Sequence, residues 1–461
     1  MIRHIFLGLF AIGVAGTAVA DNASNVSEYT LPNGLQVYVK VDKRAPVVIS
    51  QVWYKVGSAY ENQGTTGIAH AMEHMMFQGS KGYGENEFMR IITSNGGELN
   101  AFTTRDFTVY YEELAADKLS VSFKLEADRM QYLSINPENF AKEIKVVMEE
   151  RRLRTDDNPE SLLLERVNAA SNIASPYHHE PIGWMSDLLN MTDGDIKQWY
   201  NTWYAPNNAF LVVVGNVKPK EVFALAKKYF GPIKSRSVPK LKPETPPPFL
   251  GTQIVNVSAP AKLPLLIMAY NTPTLVDDPK SMDPYALVVL AGLLDGTNSS
   301  RLENTIVRGQ QLASQVSIGY DPNTLFADTL MIAANPSAGH TVQQVQQAIV
   351  QEIQKLQTTL VSSDELQRIK TGVIAQHTYD QDSLPTQAIN LGSVIAVGLP
   401  WQTADDYVAK VNAVTAEQVQ AVAQKYLVPN RLTIGILNPL PMAANTQSSS
   451  PVVGGSAHGI Q

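Results

Sequence analysis

The sequence predicts an α+β protein built as two homologous domains, each a mixed or antiparallel sheet flanked by helices. Three observations carry that prediction. A proline-rich run, PKLKPETPPP at 239–248, divides the chain; so many prolines resist helix and central strand and behave as a stiff spacer. Each half closes on the same pattern, a Thr-capped helical stretch, a proline and an apolar strand. Helical and strand-like stretches are mixed in each half without a regular βαβ alternation.

In chain order, Arg3 precedes an apolar run from Ile5 to Ala15, followed by Gly16, Thr17, Ala18, Val19 and Ala20. A basic start, a short apolar stretch and a small-x-small site read as a signal peptide over 1–20, cleaved near Ala20. The mature protein is then periplasmic or secreted. The run is too short to span a bilayer, although retention as an anchor is the alternative, and no other stretch approaches spanning length. The first domain is expected over 21–237, a linker over 238–252 and the second domain over 253–440. A tail over 441–461, rich in Ser, Gly, Pro and Ala, is expected to be disordered.

The internal repeat is legible at both ends of each half. Thr192 opens a helical stretch that stops at Tyr204, before Pro206, and Phe210 to Val214 follows as a strand. Thr415 opens another that stops at Tyr426, before Pro429, and Leu432 to Ile436 follows. The starts correspond more loosely: Leu35 to Val39 and Val47 to Tyr54 in one half, Ile254 to Val257 and Leu265 to Tyr270 in the other. Coincidence between two common strand–helix patterns is the competing explanation.

The bulk numbers narrow the function. The 461 residues exceed one ordinary core, and 44% hydrophobic with 17% charged residues suits a folded protein. A formal charge of −7 gives no basic face for nucleic acid. With no cysteine in the chain, any zinc site must use imidazole and carboxylate.

Residues 67–77 read GIAHAMEHMMF. On a helix, His70 and His74 lie one turn apart on one face, with Glu73 beside them. Two nitrogen ligands and one carboxylate next to an open position suit a zinc peptidase, with Glu73 as general base. Such a zinc needs a third protein ligand. The helix expected over Glu138 to Arg154 offers Glu138, Glu143, Glu149 and Glu150. Phe140, Ile144, Val147 and Met148 form its apolar arc, extended by Val146. Glu143 and Glu150, seven apart, project within that arc, whereas Glu149 projects to the solvated side. A carboxylate on a buried face needs a positive partner. Helix geometry therefore favours Glu150 or Glu143 without separating them. A salt bridge to Arg151, Arg152 or Arg154 is the competing reading. Gly96 and Gly97 open an alternation running to Tyr111, an ordinary edge strand by its pattern. The adjacent His178 and His179 read as a loop between Pro176 and Pro181.

The segments GIAHAMEHMMFQGS, GGELNAFTTRDFTVYYEE, KEIKVVMEERR and YAPNNAFLVVVGNV together resemble the inverzincin metallopeptidases, the family of pitrilysin, insulin-degrading enzyme and the mitochondrial processing peptidase. The likeness covers the mature chain and is nearest to the short bacterial branch, in which one chain is half of a clam-shell chamber. It implies a zinc metalloendopeptidase acting on unfolded peptides. The family's third ligand stands seven residues after another glutamate, which maps onto Glu150 as ligand and Glu143 as the acid behind it. It also implies that the substrate backbone pairs as an added strand along 99–104, with Asn100 and Ala101 as contacts.

The chain departs from that pattern in its second half. Complete family members carry an arginine and a tyrosine seven residues apart, which stabilise the oxyanion. Aligned on Ser299 to Leu302, those positions hold Val307 and Ser314; a shifted register recruits Arg308, but then meets Gln315. The replacement implies a zinc-bearing subunit that needs a paralogous partner carrying the Arg/Tyr pair, with a homodimer as the milder alternative. A non-catalytic peptide-binding or assembly subunit on the same fold is the competing function.

Overall fold

The computed structural model describes residues 26–242, 247, 251–297 and 299–442. The expected signal peptide, most of the expected tail and part of the proline-rich linker lie outside those residues.

The first half contributes β1 (Val26–Thr30), β2 (Gln36–Val41), β3 (Val47–Tyr54), β4 (Glu98–Thr103), β5 (Thr108–Ala115) and β6 (Ala209–Gly215). They form one sheet in the order β1-β2-β6-β3-β5-β4. Its helices are α1 (Ile68–Met75), α2 (Glu87–Ser94), α3 (Leu119–Tyr132), α4 (Pro137–Arg151), α5 (Pro159–Ser171), α6 (Met185–Asn190), α7 (Asp193–Trp203) and α8 (Pro219–Tyr229). The second half contributes β7 (Gln253–Pro260), β8 (Leu265–Thr272), α9 (Asp283–Leu294), β9 (Ala313–Gly319), β10 (Asp328–Pro336), α10 (Val342–Thr358), α11 (Ser363–Asp380), α12 (Leu384–Ala396), α13 (Gln402–Ala413), α14 (Ala416–Tyr426) and β11 (Leu432–Leu440). Its strands are ordered β7-β11-β8-β10-β9.

Five strands of the first sheet match the second in order, and β1 has no counterpart among the described residues. β2 pairs parallel with β6 as β7 does with β11, and every other corresponding pair is antiparallel. The closing pattern repeats as well. Thr192 and Thr415 each cap their helix through a reciprocal capping box, with Asp195 and Gln418, and each satisfies two otherwise orphaned backbone donors. A one-turn helix at Pro206 or Pro429 then feeds β6 or β11. The α+β fold of two homologous units is therefore as expected.

Each half lends one helix to the other. α5 lies on β7, β8 and β11 of the second sheet, and α12 lies on β3 and β6 of the first. Two glycines make the exchange possible by close approach. A Cβ on Gly392 of α12 would stand 2.1 Å from the Trp53 ring, and one on Gly435 of β11 would stand 2.4 Å from Val167 of α5. Trp53, Phe210 and Val212 consequently share a core with Leu391 and Ile395. Leu163 and Val167 pack with Leu265, Ile267 and Leu437.

Two local expectations differ from the structure. The stretch from Gly96 to Tyr111 is not one strand but the β4–β5 hairpin. Thr104 Oγ1 accepts from the Asp106 and Phe107 amides and turns the chain, a local side-chain turn that alternation does not reveal. The helix expected to reach Arg154 ends at Arg151 and widens into a π-helical turn, Arg152–Asp156. Val146, counted with the apolar arc, is half exposed, because the buried stripe of α4 is only as wide as Phe140, Ile144 and Val147.

Candidate metal centre

Helix α1 begins at Gly67, which has no side chain to cap it. The buried Glu61 carboxylate does so instead, accepting from the Gly67 and Ala69 amides at 2.8 Å each. Burial pushes the Glu61 carboxyl up to about 8, and those two amides hold it back. Ile68, Ala69, Ala71, Met72 and Met75 go into the core. His70, Glu73 and His74 are left on the face towards a cleft of about 670 Å3.

Helix α4 packs across α1. Asn136 caps it, accepting from Asn139 N, with Pro137 at its first position. Its buried stripe sets two glutamates against the histidines. Glu150 Oε2 lies 3.4 Å from His74 Nε2, and Glu150 Oε1 lies 3.7 Å from His70 Nε2. Glu143 Oε2 lies 3.2 Å from His74 Nδ1, while Gln78 Nε2 donates to Glu143 Oε1 at 2.9 Å. Glu149 points outward and pairs with Arg152. The choice that helix geometry left open, Glu143 or Glu150, thus resolves into two different contacts. Glu150 faces both histidines, and Glu143 stands behind one.

Donor atoms of His70, His74 and Glu150 lie within 4.8 Å of one another, the one such group among the described residues. Ligand atoms bound to a single tetrahedral zinc stand about 3.4 Å apart, given bonds of about 2.1 Å. The observed 3.4 and 3.7 Å separations fit that requirement. Two imidazoles and one carboxylate are also a donor set that suits zinc and leaves a position open. Glu143 holding His74 Nδ1 turns Nε2 towards the cluster, the usual way a carboxylate orients a ligand histidine. His70 Nδ1 is buried without a partner among the described residues.

The charges follow from burial and neighbours. Burial opposes the His74 imidazolium, but hydrogen bonds to Glu143 and Glu150 outweigh it and raise the ring to about 9. Burial lowers His70 to about 4, reinforced by the charge of His74. Burial raises the Glu73 carboxyl above its usual range, held back by Thr103 and His74. Burial works against the Glu150 carboxylate too, yet the His74 hydrogen bond and the charges of His70 and Arg154 hold its pKa below the usual range.

Asn100 and Ala101 lie on β4, the edge of the sheet, and line the same cleft. Asn100 Oδ1 accepts from its neighbour's amide, Ala101 N, at 2.9 Å. Three further residues have contacts at the site that the sequence did not assign. Thr103 of β4 donates to Glu73 Oε2 at 2.6 Å. Arg154 forms an ion pair with Glu150 Oε1 at 2.6 Å. Arg151 is buried and binds Glu165 of α5, Gly183 O and Asp156. Of the three arginines offered as ion-pair partners, Arg154 is the one that pairs with Glu150, whereas Arg151 turns to Glu165, and nothing in the local pattern sets Thr103 against Glu73. His178 and His179 are outside the cluster; His178 closes a short turn after Ser175, and His179 lies 3.7 Å from Glu61.

A six-stranded sheet with histidines and acids gathered over its edge defines a metallopeptidase class, and the comparisons agree. A family described as insulinase, peptidase family M16, matches residues 36–181, and one described as the peptidase M16 inactive domain matches 190–373. The His70, His74 and Glu150 group falls wholly within the first match. The chain is 31% identical to the zinc protease PqqE of Helicobacter pylori, over 89% of this chain and 92% of that protein. It is 25% identical to a probable mitochondrial-processing peptidase subunit beta of Arabidopsis thaliana, over 89% and 78%. The crystal structure of a protease from Helicobacter pylori matches with a TM-score of 0.85 at 31% identity, covering 90% of this chain and all of that one. The first half of the periplasmic protease PqqL from Escherichia coli shares the fold, with a TM-score of 0.75 at 19% identity, covering 90% and 92%. This chain spans 51% of the longer PqqL chain. The protein belongs to peptidase family M16, the inverzincin family. No helix among the described residues is long and apolar enough to cross a membrane.

Proposed function

We propose that this chain is a zinc-dependent endopeptidase subunit that hydrolyses unfolded peptides, with zinc on His70, His74 and Glu150 and with Glu73 as general base. One observation carries the reading: two imidazoles and one carboxylate converge within 4.8 Å while a second carboxylate stands free beside them. A zinc ion held there supplies Lewis acidity, polarising a carbonyl and lowering the pKa of a water towards about 7. Glu73 takes a proton from the attacking water and returns it to the leaving amine. Its burial raises its proton affinity towards neutral pH, and the Thr103 hydroxyl fixes its orientation. Glu143 holds the His74 ring, and the β4 edge at Asn100 and Ala101 receives the substrate backbone as an added strand.

The chain works with a paralogous partner that brings an Arg/Tyr pair. Val307 packs against the core of the second half, and Ser314 Oγ is turned to Asn335 O at 3.2 Å. All residues lining the cleft fall between 70 and 182. Full-rate peptide cleavage by the purified chain alone would rule out the required partner and leave a homodimer. The first domain over 21–237, the second over 253–440, the signal peptide over 1–20 and a periplasmic or secreted location complete the proposal. The basic start and short apolar run support the last two.

Glu73→Gln is the decisive variant. It removes the base and keeps the ligands, so cleavage is expected to fall by about three orders of magnitude while zinc content and peptide affinity persist. A non-catalytic peptide-binding or assembly subunit predicts instead that function survives Glu73→Gln unchanged.

A further inference from the structure

The π-helical turn at Arg152–Asp156 is the one irregularity between α4 and α5, and it follows Glu150 by two residues. Such turns recur at functional sites because the extra residue re-aims side chains. Here the turn is locked from both ends. Asp157 N reaches back to Arg152 O at 2.8 Å, the wide bond of the π turn. Arg151, almost wholly buried, binds Asp156 at 3.2 Å, Glu165 of α5 at 2.7 Å and Gly183 O. Beyond the turn, Asn158 caps α5 by accepting from Glu160 and Ser161. With the backbone so held, the Arg154 side chain folds back one turn along the helix, and its guanidinium pairs with Glu150 Oε1 at 2.6 Å. Both Glu150 oxygens face the histidines, so an acid with free rotation about its terminal bonds could meet a cation in several ways. A cation held against Oε1 selects one.

Resting on the zinc reading above, we propose that Arg154 is a positioning residue that orients Glu150 as a metal ligand. Arg154 also lines the cleft, the one arginine or lysine to do so. Its positive charge would repel a bound dication, but its side chain is 58% exposed, and water screens that repulsion. Ordering of Glu150 therefore outweighs it. Arg152, two residues away, pairs with the outward Glu149 and serves as an internal control.

The test is the zinc affinity of the full chain, measured by competition with a chromogenic chelator, for wild type, Arg154→Met, Arg154→Lys and Arg152→Met. Arg154→Met is expected to weaken zinc binding by about 10- to 100-fold, the usual loss when a partner behind a ligand is removed. Arg154→Lys should recover part of that loss, and Arg152→Met should behave as wild type. In a Glu150→Gln background, Arg154→Met should cost nothing further, since the two act as a unit. Unchanged or tighter zinc binding by a folded Arg154→Met overturns the proposal and leaves the metal centre standing. Wild type that binds no zinc sinks the metal centre itself, before any variant is compared.

Discussion

The two halves share one frame, and the contrast that bears on function lies at one helix. α1 and α9 occupy corresponding places, each following the strand that pairs with β6 or β11. α1 buries one face and turns His70, Glu73 and His74 to a cleft. α9 buries Pro284, Tyr285, Ala286, Leu287, Val289, Leu290, Leu293 and Leu294, which cover nearly every side of the helix. A helix apolar all round belongs in a core. The comparison teaches that this fold does not need a polar face at that place. The first half's polar face carries the candidate metal group, and the second half's helix answers to packing.

The largest expected effect separates the ion pairs of the two halves. Arg151 and Glu165 are almost fully buried, so Arg151→Met strands a carboxylate and should cost about 3–5 kcal/mol in thermal or urea unfolding. In the second half Arg301, which follows α9, pairs with Glu365 of α11, and both are partly exposed. A comparable loss at Arg301→Met would break the contrast.

Next comes pH, to which the α1 site responds through His74, a group with no equivalent on α9. Glu143 and Glu150 hold His74 up to about 9, above the roughly 6.5 of an unfolded histidine. Zinc needs that ring neutral, so zinc affinity should climb by up to about tenfold per pH unit from pH 7 and level off near pH 9. In the metal-free protein the sign reverses. A raised folded pKa stabilises below the unfolded value, and that stabilisation is lost as pH rises through about 9. Chelator competition and melting curves across this window check both trends; flat affinity between pH 7 and 9 would contradict the assignment of His74.

The exchanged helices allow a symmetric test. Gly392→Val drives a side chain into Trp53, and Gly435→Val drives one into Val167. Each should cost about 1–3 kcal/mol by overpacking. Because the cores interlock, both variants should shift one shared unfolding transition rather than split it. Two separate transitions would show that the halves are independent. The smallest effect is that of Arg301→Met, at most about 1 kcal/mol.

Part of this protein is written in short-range pattern. The spacing of His70, Glu73 and His74 places them on one face because a helical turn is closed by residues four apart, whatever else surrounds it. Thr192 and Thr415 announce their helices for the same reason, since a cap and its partner are three residues apart. The repeated order of strands and helices carried the α+β pair of domains. What lay beyond the sequence is contact between segments far apart in it. Whether Glu143 or Glu150 faces the histidines depends on how α4 crosses α1. That Thr103 meets Glu73 depends on where the sheet edge falls, and that α5 lies on the other half's sheet depends on a glycine more than 260 residues away. Such pairings are chosen by the packing of whole elements, whose free energy is shared over many side chains, and no local spacing encodes them.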